Sequence, residues 1–66
     1  MSLSAFNRLG TEDAMRTLLE CCGSRTWARR MAQARPFESV AEAVDAGDEI
    51  WKGLEERDWL EAFAAH

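Results

Sequence analysis

Glycine and proline punctuate this chain so often that one architecture is open to it, a series of short helices. Apolar residues recur at helical spacing, and Gly10, Gly23, Pro36 and Gly53 interrupt the pattern. Tyrosine is absent, valine and isoleucine are few, and alanine, leucine, glutamate and arginine dominate. These propensities favour helix throughout and give strands no foothold. The expected class is all-α, a bundle of four to five short helices forming a single domain over residues 1–66.

The boundaries follow from capping chemistry. A first segment starts after Ser2 and runs to Leu9, with Gly10 closing it. Thr11 then caps a second helix, in which Glu12 and Asp13 complement the helix dipole. Its stripe is Ala14, Met15, Leu18, Leu19 and Cys22, and Gly23 supplies a left-handed stop. Ser24 caps a third helix over 25–34, whose inward face is Trp27, Ala28 and Met31 and which Pro36 keeps from continuing. Ser39-Val40-Ala41-Glu42 is a capping box that opens a fourth helix with the stripe Val40, Val44, Ile50, Trp51 and Leu54. Gly47 interrupts it at a cost of about 1 kcal/mol relative to alanine, which points to close packing or a bend there. Gly53 helps to end it. Asp58 or a neighbouring acid opens the last helix, with Trp59, Leu60 and Phe63 on one side and Glu61 on the other.

A 66-residue chain buries only about 60% of the surface that it exposes when unfolded. Hydrophobic residues make up 47% of the sequence, including three Trp and three Phe. A core is therefore possible if the helices close on one another or on a partner, so self-association or membership of a larger whole is expected.

The net charge of −4 conceals two unlike halves. Residues 1–36 hold six Arg against three acids, and residues 37–66 hold nine acids against two bases. Pairing of Arg25, Arg29, Arg30 and Arg35 with Glu38, Glu42, Asp45 and Asp48 is the plain expectation, worth little at a surface. An acidic chain argues against nucleic-acid binding. There is no opening signal peptide and no apolar run of about 20 residues, so no membrane partner is expected and the protein is placed in the cytoplasm. Cys21 and Cys22 are adjacent, which strains a mutual disulfide, and they lack zinc-ligand spacing. Reduced structural thiols are the default.

Ser4-Ala5-Phe6-Asn7-Arg8-Leu9, Leu19-Glu20-Cys21-Cys22-Gly23-Ser24, Trp27-Ala28, Arg35-Pro36-Phe37 and the closing stretch Asp58-Trp59-Leu60-Glu61-Ala62-Phe63-Ala64-Ala65-His66 occur in an order that resembles the amino-terminal part of the OHCU decarboxylases. The resemblance implies a role in urate catabolism, with the small molecule 2-oxo-4-hydroxy-4-carboxy-5-ureidoimidazoline as substrate of the intact enzyme and S-allantoin as product. It implies no cofactor. The single histidine, His66, matches a catalytic residue of the family, and the family's other functional residues lie further along. The segment alone is therefore expected to lack most of the active site.

Decarboxylation leaves an electron pair behind, so it needs a proton shuttle and groups that hold the departing carboxylate and the ureido arm. Imidazole suits the first task near neutral pH. The bland reading of His66 in isolation is an exposed residue without function. Trp27, Trp51 and Trp59 could line a planar-ligand pocket, but helical aromatic stripes are more often core. Arg35 could anchor a carboxylate, although a capping role or a surface pair is the commoner one. Glu55, Glu56, Asp58 and Glu61 read as a solvated acidic face. The rival class is a stand-alone helical interaction module that dimerises through Trp51, Trp59 and Phe63 without catalysis.

Overall fold

The computed structural model describes residues 2–64 and contains five helices: α1 (Leu3–Arg8), α2 (Thr11–Cys21), α3 (Arg25–Ala34), α4 (Val40–Lys52) and α5 (Glu56–Ala64). No strand occurs among the described residues, in agreement with the all-α expectation. None of these helices is long and apolar enough to cross a membrane.

Three helix starts are fixed by serine. The hydroxyls of Ser2, Ser24 and Ser39 accept hydrogen bonds from the amides of Ala5, Trp27 and Glu42 at 3.1, 3.2 and 3.1 Å. Each removes one of the unpaired donors that begin any helix. The capping box at α4 closes one residue early, because the Glu42 carboxylate accepts from the amide of Glu38 at 2.9 Å rather than from Ser39.

Other boundaries correct the sequence reading. Gly10, not Thr11, holds the N-cap of α2 and offers no side-chain bond. Leu9, in an extended conformation, ends α1 before Gly10. Gly23 supplies no left-handed turn, since no described glycine has a positive φ; α2 stops because Cys22 turns extended at φ −144° and ψ 124°. Gly53 does cap α4, but in right-handed geometry, with its amide directed at the carbonyls of Glu49 and Ile50. α5 does open on an acid beside Asp58, starting at Glu56, while Asp58 sits in the first turn and accepts from the amide of Glu55 at 3.3 Å.

Packing centres on α3, which contacts α2, α4 and α5. Ala14, Leu18, Ala28, Met31, Ala32 and Phe37 form the buried cluster, against which Leu3, Phe6, Leu9, Trp27, Ala43, Ala46 and Ile50 pack from the margins. Alanine supplies half of the buried apolar residues, whereas all three indoles are only half-buried. Small side chains let the axes approach closely, and they also leave little apolar area removed from water. The result is a thin core.

α4 presents its expected stripe only in part. Ile50 and Leu54 turn inward together with Ala43, Ala46 and Gly47, while Val40 and Val44 stay 66% and 57% exposed. Both rows have helical spacing, and the row of smaller residues wins because α3 can come closer to it. Gly47 is a point of close contact. A Cβ built there would lie 3.4 Å from Cζ2 of Trp27 and 3.7 Å from Cε of Met31, and its carbonyl accepts from Nε1 of Trp27 at 3.1 Å.

This contact yields a graded prediction. Gly47→Ala gains up to about 1 kcal/mol of helix propensity and fits at ordinary contact distance, so it should be neutral or mildly stabilising. Gly47→Leu must displace Trp27 and should destabilise by about 1–3 kcal/mol, with a red shift of tryptophan emission. Urea unfolding of both variants checks this; equal midpoints for the two would remove the close-packing argument.

Candidate functional site

Three local arrangements organise the surfaces available for chemistry or binding. The first is an apolar groove of about 540 Å³ between α3 and α4, with Leu3 of α1 and Cys22 also on its lining. Trp27 and Met31 form one wall, and Val40, Val44 and Trp51 form the other. Asp48 is the charged residue on its lining.

The second arrangement ties α1 to the turn after α3. The Asn7 amide pairs with the backbone of Phe37 in both directions: its nitrogen donates to the Phe37 carbonyl at 2.8 Å, and its oxygen accepts from the Phe37 amide at 3.0 Å. The Arg35 guanidinium donates to the carbonyls of Phe6 and Leu9, each at 2.8 Å, and to Ala32 at 2.9 Å. It also lies over the Phe6 ring, 5.4 Å from the centroid, where the ring quadrupole attracts a cation. A planar fork of donors suits this task because the last carbonyls of a helix otherwise lack partners. Arg35 is therefore engaged in capping and does not present itself to a carboxylate ligand.

The third arrangement docks α5. Asp58 accepts from the hydroxyl of Thr26 at 2.9 Å, and Glu61 accepts from the amide of Arg25 at 3.1 Å while pairing with its guanidinium at 3.4 Å. Nε1 of Trp59 donates to the carbonyl of Trp51 at 2.9 Å, and the Trp51 ring lies 6.2 Å from that of Trp59 and 6.3 Å from that of Phe63. Two of the four residues read as a solvated acidic face thus hold the helix in place. Sequence spacing held no sign of this, since Thr26 and Asp58 are 32 positions apart.

The ion pairs also differ from expectation. Among the described residues, Arg25–Glu61 is the pair that joins the basic and acidic halves, and the others are local: Arg16–Asp13, Lys52–Glu49 and Arg57–Glu55. Within this set, none of Glu38, Glu42, Asp45 and Asp48 takes part. Cys21 and Cys22 are free thiols, Cys21 exposed and Cys22 on the groove. No group of His, Cys, Asp and Glu among the described residues is arranged to hold a metal ion. His66, the expected catalytic residue, lies outside the described residues. Of the three tryptophans, Trp27 and Trp51 share the groove, and Trp59 packs on Trp51 away from it.

These features define a small helical segment whose amino-terminal helix is locked to the turn at 35–37 and whose last described helix is docked by side chains on its acidic face. The family model for OHCU decarboxylase matches residues 7–66, and the chain belongs to that family. The uric acid degradation bifunctional protein TTL of Arabidopsis thaliana is 43% identical over 47 residues, covering 70% of this chain and 14% of that protein's length. No solved structure gives a significant match.

The two clamps on α1 are testable. Asn7→Ala leaves both backbone groups of Phe37 without their partner and should cost about 1–3 kcal/mol. Arg35→Lys keeps the charge but cannot reach three carbonyls as a fork, and should cost a similar amount, about 1–3 kcal/mol. Denaturant midpoints measure both. A lysine variant as stable as the parent would show that charge alone suffices.

Proposed function

We propose that these 66 residues form the amino-terminal segment of a decarboxylase of urate catabolism, acting on 2-oxo-4-hydroxy-4-carboxy-5-ureidoimidazoline within the intact protein and releasing carbon dioxide and S-allantoin. One observation carries the reading: the family match runs from residue 7 through residue 66, the position of the chain's single histidine. The similarity to an Arabidopsis protein of uric acid degradation points the same way.

In this reading His66 transfers the proton. Breaking the bond from carbon to the carboxylate leaves an electron pair on the substrate, which a positioned acid converts to a C–H bond. The imidazole then regains its proton from solvent. α5, whose last described residue is Ala64, owes its position to Thr26, Arg25 and Trp51.

The groups that receive the departing carboxylate and the ureido arm come from elsewhere in the intact protein. Arg35, which the sequence allows as a carboxylate anchor but favours as a cap or surface pair, has its guanidinium already bonded to three carbonyls. Arg25 is paired with Glu61. The isolated 66 residues are thus expected not to accelerate the reaction. A chiral assay of S-allantoin formation tests this directly: faster turnover by the 66-residue chain, abolished in His66→Ala, would overturn it. In a polypeptide that also carries the rest of a family domain, His66→Ala should lower kcat by about 100-fold or more, the range for a general acid or base.

A second reading, a helical interaction module without catalysis, is supported by the exposure of Val40, Val44, Leu60 and Phe63. It predicts a dimer whose weight-average mass rises with concentration in sedimentation equilibrium. A well-folded monomer at micromolar concentration would dispose of it.

A further inference from the structure

We propose that the apolar groove along α4 is a docking site for an amphipathic helix whose apolar stripe is flanked by basic side chains. This assignment does not depend on the decarboxylase reading.

Its shape favours a helix over a small molecule. Val40, Val44 and Trp51 follow one row of α4, and at about 1.5 Å per residue that row extends about 16 Å, or three turns. Trp27 and Met31 run along the opposite wall, and Gly47 lies on the lining within contact range of both. Small ligands are held where most of their surface is enclosed, whereas a partner helix uses a long open trough with anchors three or four residues apart. The high exposure of Val40 and Val44 shows that trough to be open along its rim.

Charge selects the kind of helix. Asp48 lines the groove, and Asp45 lies on the same helix. Neither makes an ion pair among the described residues, while the nearby bases Lys52 and Arg57 are paired with Glu49 and Glu55. Free carboxylates beside an apolar row reward a partner with lysine or arginine at its flanks and disfavour an acidic one.

A second copy of this chain suits the groove less well on the same grounds. The other large apolar side chains that are exposed, Leu60 and Phe63, belong to α5, which also carries Glu56, Asp58 and Glu61. Docking α5 of one copy on α4 of another would set carboxylates against carboxylates. Arg29 and Arg30 of α3 are exposed and pair with no acid among the described residues, but neither lines the groove.

Two synthetic helices of about four turns, identical in their leucine stripe and flanked either by lysine or by glutamate, test the proposal when titrated into the 66-residue chain. Emission from Trp27 and Trp51 reports binding, and sedimentation reports the species formed. The lysine peptide should bind saturably and at least about tenfold more tightly than the glutamate peptide, with the difference shrinking as salt is added. Val44→Ser, an exposed change that should leave the circular dichroism spectrum intact, should weaken the lysine peptide by about tenfold, and Asp48→Lys should reverse the preference. Equal binding of the two peptides, failure of the lysine peptide to bind, or a dimer of the chain that disappears in Val44→Ser would each overturn it.

Discussion

The structure depends on the close approach that small side chains allow around α3. Ala28 and Ala32 on that helix, with Ala14 opposite them, are almost wholly shielded from solvent, and they bring α2 within contact range. On the α4 side Gly47 does the same, so that an indole nitrogen from α3 reaches a backbone carbonyl in the middle of α4. One helix can then serve three neighbours. The consequence is a core that is close-packed yet thin, because alanine fills the centre while tryptophan is left at the margins.

A thin core needs polar reinforcement, and both ends of α3 supply it. At the start, Ser24 is fully buried and caps the helix, and Glu61 from α5 accepts from the next amide. At the far end Arg35 collects carbonyls from its own helix and from α1. Hydrogen bonds to charged groups are the stronger kind, and most of these connect segments far apart in sequence. They fix the relative placement of α1, α3 and α5, which burial of a few alanines would leave loosely specified.

That division of labour bears on function. α5 is positioned by side chains that face α3, so the opposite surfaces of α4 and α5 keep exposed valine, leucine and phenylalanine. In a family defined by a decarboxylation, the described helices hold the scaffold and leave an apolar side uncovered. Arg35 takes the capping role that the sequence favours for it and locks the scaffold.

The sequence by itself determined the helices. Serine caps at 2, 24 and 39, breakers at 10, 23, 36 and 53, and strong helix formers between them are local properties, and local hydrogen bonding enforces them wherever the chain lies. A glycine inside a helix costs stability, so Gly47 marked either a close approach or a bend, and the structure shows the close approach. The tertiary structure decided which of two helical rows on α4 faces inward, a choice between rows of equal period settled by side-chain size across the contact. It decided, too, that Asn7 would grip Phe37, that Arg35 would cap α1, and that Asp58 and Glu61 would dock α5. Those partners lie 26 to 36 positions apart, and no periodicity within one helix encodes a distance between two.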